Sequence, residues 1–109
     1  MRNKQGNVSN YRKMQIGKVI NYFPEKSAAK LLLYREKLRL GDEIFIIGKN
    51  TNTYLRQTIN SIQIKQKKNL TETPPISKGS PLRVGIKVEG KVKKNDGIYI
   101  LIKKRTSQI

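Results

Sequence analysis

The sequence predicts a small all-β domain, either a barrel or a sandwich, on three observations. Short segments of apolar or alternating character recur along most of the chain at a spacing of roughly ten residues. Turn-forming Gly, Asn, Asp and Pro residues separate these segments. The chain has 109 residues, which is enough for a single domain with one modest core.

Five segments are predicted as strands because each is apolar or alternates in character. Residues 43–47 form a compact apolar run after the turn pair Gly41-Asp42, and residues 97–103 are almost entirely apolar, as in a central strand. The predicted strands are residues 16–21, 43–47, 57–65, 83–88 and 97–103.

Two of these strands carry further detail. In residues 57–65 the alternation changes phase at Ser61, which indicates a β-bulge. In residues 83–88 the side chains of Val84, Ile86 and Val88 fall on one face of the strand.

Residues 27–41 do not follow the strand pattern. They are rich in Ala, Leu, Lys, Arg and Glu, contain no β-branched residue and end at a glycine. Leu31, Tyr34 and Leu38 also stand at helical spacing, so composition alone favours a helix here.

The charge of the chain points to a polyanionic partner. Lys and Arg number 24 against 7 Asp and Glu, for a formal net charge of +17. Nucleic acid is the first candidate and an anionic membrane surface the second. Since 17 of the 24 cations are lysines, contacts to phosphates are favoured over bidentate reading of bases.

Several classes of site are disfavoured by composition. The chain has no cysteine and no histidine, which removes thiolate and imidazole zinc sites and the Ser-His and Cys-His nucleophile pairs. We therefore expect no metal, no cofactor and no enzymatic activity. No apolar run approaches the ~20 residues that span a bilayer, and no secretory signal is evident, so a cytoplasmic location is expected.

Three regions are predicted along the chain. Residues 1–14 are basic with few apolar groups, which indicates a flexible arm. Residues 15–105 form the single domain, and residues 106–109 are a short tail.

Six motifs in order resemble a known barrel. The pattern is similar to the second domain of translational GTPases such as elongation factor Tu. It is closer to the C-terminal barrel domain of the collagenase-like peptidase family, some members of which act in RNA hydroxylation. The motifs are Ile-Gly-Lys-Val at 16–19, Tyr-Phe-Pro at 22–24, Leu-Arg-Leu-Gly-Asp at 38–42, Ser-Ile-Gln-Ile at 61–64, Val-Gly-Ile-Lys-Val at 84–88 and Asn-Asp-Gly-Ile-Tyr at 95–99.

The resemblance implies a small closed antiparallel β-barrel of the translation-protein type. It also implies that residues 28–33 form a strand, against the helical composition, because matching motifs flank both ends of this segment. In both families the barrel accompanies a catalytic domain, for which this chain has no room. The module therefore either works alone or is one piece of a larger protein.

Two features that could indicate nucleotide binding or catalysis have simpler structural explanations. Residues 85–92 nearly spell a phosphate-binding loop, but Val92 stands where a hydroxyl would bind magnesium, and the segment alternates like a strand. Asp42 and Asp96 lie in predicted turns, where hydrogen bonds from the backbone explain an aspartate without any acid–base role.

The basic clusters are the candidate site, with a merely solvated surface as the alternative reading. The candidate phosphate contacts are Arg12, Lys13, Lys65, Lys67, Lys68, Lys91, Lys93, Lys94, Lys103, Lys104 and Arg105. Tyr22, Phe23 and Tyr54 are candidates for stacking on unpaired bases, or else for covering the ends of the barrel.

Three functions follow from these observations. The first is a non-enzymatic RNA-binding barrel linked to the ribosome, ribosomal RNA or tRNA. The second is an accessory domain of a peptidase-like or RNA-hydroxylating enzyme that acts through a protein partner. The third is an anionic-membrane or general polyanion binder.

Overall fold

The structure is a computed structural model that describes residues 11–64, 68–76 and 79–103. Within these ranges the domain is all-β, as predicted, with eight strands in one sheet whose pairings are all antiparallel. The strands are β1 (Tyr11–Phe23), β2 (Ala28–Leu33), β3 (Glu43–Ile47), β4 (Tyr54–Thr58), β5 (Gln63–Ile64), β6 (Lys68–Asn69), β7 (Leu82–Lys87) and β8 (Gly97–Lys103).

The sheet has the order β4-β3-β8-β1-β2-β7-β5-β6. In the part of the chain that the structure describes, no pairing joins β4 at one end to β6 at the other. The prediction of a barrel-like all-β fold is confirmed, but the prediction that the sheet closes on itself is wrong. Irregular segments, rather than a strand ladder, connect the two ends.

The segment between β2 and β3 makes much of this connection. On one side Gly41 N donates to Ile59 O at 2.8 Å, and Ile59 N donates to Asp42 O at 2.7 Å. On the other side Thr73 N donates to Leu38 O at 2.8 Å, and Leu38 N donates to the Thr73 hydroxyl at 3.0 Å. These bonds satisfy backbone groups that an open sheet would leave unpaired.

A buried amide makes a second connection. The side chain of Gln57 on β4 is 3% exposed. Its Nε2 donates to Lys87 O at 2.9 Å, and its Oε1 accepts from Glu89 N at 2.9 Å. One side chain thus links the outer strand β4 to the end of β7, and its polar groups do not remain unpaired in the interior.

Strand β1 is the longest element and pairs on both sides. Its first part pairs with β8 and its second part with β2, and the register shifts near Ile16 and again near Ile20. Such bulges bend a strand and increase its twist. A Cβ at Gly17, between the two shifts, would overlap the carbonyl oxygen of Leu32, so this close approach of β1 to β2 requires glycine.

The start of β1 corrects the predicted arm. Residues 11–14 pair with residues 100–103 of β8, so the prediction of a flexible arm is wrong for these four residues. The reason is tertiary: their apolar content is low, but β8 supplies the hydrogen bonds. Residues 1–10 lie outside the described residues.

The segment of helical composition forms strand β2. Ala29, Leu31 and Leu33 are buried, while Lys30 is exposed, which is the two-residue period of a strand. Pairing with β1 and β7 on its two sides overrides the helical propensity.

The predicted strand 57–65 is two elements. Strand β4 ends at Thr58 and β5 begins at Gln63, and Ile59 and Ile62 between them are both buried. The predicted change of phase at Ser61 therefore marks a break, in which the Ser61 hydroxyl accepts from Lys87 N at 3.0 Å. Strand β4 itself begins at Tyr54, three residues before the start of the predicted strand.

The core lies between the inner faces of the strands. Val84, Ile86 and Val88 are all buried, as the alternation of their segment predicts. Burying each such side chain contributes about 1.5–3 kcal/mol. The core consists of Ile16, Val19, Ala29, Leu31, Leu33, Leu38, Ile44, Ile46, Ile59, Ile62, Val84, Ile86, Val88, Val92 and Ile98.

The turn before β8 is organised by a buried carboxylate. Asp96 is 1% exposed; its Oδ2 accepts from Lys93 N at 2.8 Å and its Oδ1 accepts from the Thr51 hydroxyl at 2.7 Å. Its carbonyl oxygen accepts from Val19 N at 2.8 Å. One residue therefore joins the β3–β4 loop, the turn before β8 and the middle of β1.

We expect Asp96→Ala to lower the free energy of unfolding by about 2–3 kcal/mol, because it removes a buried acceptor that joins two partly buried donors from different loops. Asp42→Ala is the matched control. Asp42 Oδ2 accepts from Arg39 N at the same 2.8 Å, but at an exposed turn, so the loss there should be about 1 kcal/mol or less. Urea unfolding of the two variants measures the difference; equal losses would contradict the role given to Asp96.

Candidate nucleic-acid interface

Most of the positive charge on the described surface is not neutralised by ion pairs. Within residues 11–64, 68–76 and 79–103 two ion pairs occur: Lys37 Nζ lies 3.6 Å from Glu72 Oε2, and Arg56 Nε lies 2.6 Å from Glu43 Oε2. The remaining cations are available to an anionic ligand.

An aromatic ring organises two cations on the outer face of β1, β8, β3 and β4. The Nζ of Lys13 lies 4.8 Å from the centroid of the Phe45 ring, and the guanidinium carbon of Arg56 lies 5.5 Å from it. Tyr54 packs edge-on to the same ring, with centroids 6.4 Å apart and an interplanar angle of 67°. Phe45 is only 4% exposed, and the two cations and the Tyr54 ring lie close to its ring.

Strand register places these side chains together. Phe45 on β3 pairs with Arg56 on one side and with Tyr99 on the other, while Lys13 pairs with Leu101 on β8. Paired residues in an antiparallel sheet point to the same face. Tyr54, a candidate for base stacking, is 64% exposed at the edge of this face.

The guanidinium of Arg56 is partly engaged by Glu43. A second, longer bond of 3.4 Å joins Arg56 Nη2 to Glu43 Oε1. These hydrogen bonds and the nearby negative charge raise the pKa of Arg56. Glu43 therefore holds the arginine in place and reduces the net charge of this face.

A second basic region lies at the β7–β8 loop. Lys91, Lys93 and Lys94 are all exposed there. Lys94 lines one open cavity of about 290 Å³ together with Lys49 and Tyr99. Lys49 is not among the contacts predicted from the sequence. The Thr51–Asp96 hydrogen bond holds the two loops side by side.

The other predicted contacts are spread over the surface. Lys103 lies opposite Tyr11, next to Arg12 and Lys13 at one end of β1 and β8, whereas Lys94 precedes the opposite end of β8. Lys68 lies on β6 opposite Ile64. Lys65, Lys67, Lys104 and Arg105 lie outside the described residues.

The remaining two aromatic candidates occupy different environments. Tyr22 is half-buried and packs against the core, which fits the alternative reading of a residue that covers the core. Phe23 is half-buried at the end of β1, and the Nζ of Lys26 lies 5.9 Å from its ring centroid.

Four cations on one surface were missed by the sequence reading. They lie along β2, β7 and the turn before β2, on the face that points away from the core. The signal was present in β7, because assigning Val84, Ile86 and Val88 inward leaves Arg83 and Lys87 outward. These cations are Lys26, Lys30, Arg83 and Lys87.

The chemistry available on these surfaces is the binding of anions. In the part of the chain that the structure describes, no three Asp or Glu side chains come together as a metal-binding group. The same part contains no helix long and apolar enough to cross a membrane.

No known protein-family profile matches the chain. Over 97 residues it is 37% identical to an uncharacterized protease of Methanocaldococcus jannaschii. The match covers 89% of this chain but 22% of the protease, so the chain spans about a fifth of the length of this relative.

Crystal structures of the C-terminal domain of a U32 peptidase from Geobacillus thermoleovorans have the same fold. One matches with a TM-score of 0.64 and 21% identity, over 77% of this chain and 88% of that one. The selenomethionine variant matches with a TM-score of 0.65 and 22% identity, over 78% and 96%. The U32 peptidases are the collagenase-like peptidases, so the predicted resemblance to their C-terminal barrel domain is confirmed.

The contact between Lys13 and Phe45 can be measured with a double-mutant cycle. We expect Lys13→Ala and Phe45→Leu to be coupled by about 0.5–1 kcal/mol in the free energy of unfolding, the size of an exposed cation–π contact. Arg12→Ala is the control, since Arg12 precedes Lys13 and points to the other face of β1. No coupling for Lys13, or the same coupling for Arg12, would refute the arrangement.

Proposed function

We propose that this chain is a non-catalytic accessory domain that works with a separate catalytic part of the U32 peptidase type. The observation that carries the proposal is the similarity to one fifth of a protein named a protease, in the fold of a U32 peptidase's C-terminal domain. A domain of this size supplies a binding surface, while the remaining four fifths of such a relative have room for catalysis.

The experiment follows the protein in its own cells. We expect a chromosomally tagged protein either to migrate with a mass well above that of 109 residues or to copurify stoichiometrically with a U32-type catalytic chain. The purified domain should hydrolyse no peptide bond in a general protease assay. A free domain without such a partner would refute the accessory role, and peptidase activity of the pure domain would refute the non-catalytic one.

RNA binding in the cytoplasm is a second candidate function, supported by the charge. The net charge of +17 and the scarcity of ion pairs on the described surface favour a polyanion. Because lysines predominate, the contacts would be to phosphates and would depend weakly on sequence. In an accessory domain this surface would bring the substrate of the catalytic part into place.

We expect log affinity for single-stranded RNA to fall against log salt concentration with a slope of about −0.7 for each phosphate contacted. Fluorescence anisotropy at several salt concentrations gives this slope. Changing Lys91, Lys93 and Lys94 together to Glu should weaken binding and flatten the slope, and should remove crosslinks to ribosomal RNA or tRNA in cells. A salt-insensitive complex would refute phosphate binding.

A further inference from the structure

We propose that the groove on the outer face of β2 and β7 binds the backbone of single-stranded RNA, an inference that builds on the RNA-binding candidate above. The groove has a volume of about 780 Å³. It is separate from the Phe45 face and from the β7–β8 loop. We call it the β2–β7 groove, and its principal walls are Phe23, Lys26, Lys30, Arg83, Gly85 and Lys87.

Sheet register explains why a groove forms here. Lys30 on β2 lies opposite Gly85 on β7, and Gly85 lies opposite Gln63 on β5. Since Gly85 has no side chain, the middle of this outer face is a depression. Ala28, opposite Lys87 in the next row, continues the shallow floor.

The charges are arranged along the groove. Arg83 and Lys87 are four residues apart on one strand, which separates them by about 13 Å. Lys30 stands between them on the neighbouring strand. None of the described residues that line the groove is acidic, so an extended chain of phosphates would meet cations along its whole length.

One end of the groove is held in place. The Nζ of Lys87 donates to Lys26 O at 3.1 Å, which fixes this ammonium against the turn after β1. The Nζ of Lys26 lies 5.9 Å from the centroid of the Phe23 ring. A half-buried aromatic ring beside a cation can stack an unpaired base whose phosphate the cation contacts.

These features favour single-stranded RNA over other polyanions. An acidic peptide would use the cations but not the ring, and a rigid duplex would contact only the rim of a depression whose floor is backbone. An unpaired strand can place a sugar and phosphate on the floor at Gly85 and a base against Phe23.

Gly85 permits a test that leaves the charge unchanged. A Cβ built there would have Gln63 O at 3.9 Å and Ala29 O at 4.0 Å as its nearest atoms, which is ordinary contact, so Gly85→Val should fold and fill the floor. We expect it to weaken the binding of a fluorescein-labelled 12-nucleotide oligouridylate by about tenfold. Gly85→Ala, with one methyl group, should change it far less.

A charge-matched pair of variants tests the cations. Lys30→Gln with Arg83→Gln should reduce the salt slope by about 1.4, that is, by two phosphate contacts. Lys37→Gln with Arg35→Gln removes one lysine and one arginine from exposed positions outside the groove and outside both basic regions and should leave the slope unchanged. Urea unfolding of every variant separates loss of binding from loss of the fold.

The outcomes are distinguishable. If the unaltered chain binds oligouridylate but Gly85→Val binds equally well, or the two charge pairs behave alike, the groove is refuted and RNA binding at another surface stands. If the unaltered chain does not bind, the RNA candidate and the groove both fail, while the accessory role is judged by its own experiment. Equal competition by duplex RNA or by polyglutamate would refute a single-stranded RNA ligand.

Discussion

The buried carboxylate of Asp96 is the interaction on which the arrangement of the loops depends. It lies in the interior with both oxygens bonded, to the Thr51 hydroxyl and to Lys93 N, while its carbonyl oxygen accepts from Val19. A carboxylate in the interior is stable only when donors form hydrogen bonds to its oxygens. These three hydrogen bonds fix the β3–β4 loop, the lysine-bearing turn before β8 and the most bent part of β1 relative to one another.

The open sheet is the second feature with consequences for function. Because strand pairing does not join β4 to β6 within the described residues, Gln57 and the segment before β3 connect the two ends of the sheet with a few hydrogen bonds. Gln57 bonds to Lys87 O, so the same amide that joins the two ends also holds one end of the β2–β7 groove. The connection therefore links the stability of the fold to the shape of a candidate binding surface.

The comparisons and the charge support different parts of one function. The similarity to a fifth of a protease, in the fold of a C-terminal domain, supports the proposed accessory role, whereas the charge supports the proposed RNA ligand. Phosphate contacts give affinity with little sequence information. A domain of this kind would concentrate and position an RNA, and the selection of a reacting group would rest with the catalytic part.

The sequence by itself determined the features that depend on residues close together along the chain. Alternation and turn residues predicted the all-β class, the bounds of β3 and β8 and the buried face of β7. Each of these features shows in the apolar pattern of one strand and its flanking turns. The composition also determined the excess of positive charge. For residues 28–33 composition favoured a helix and the flanking motifs implied a strand; the structure decided for the strand through pairing with partners that are distant in sequence. It likewise decided that Lys30 and Arg83 flank one groove, because a sheet register between strands some fifty residues apart is not encoded in either strand separately.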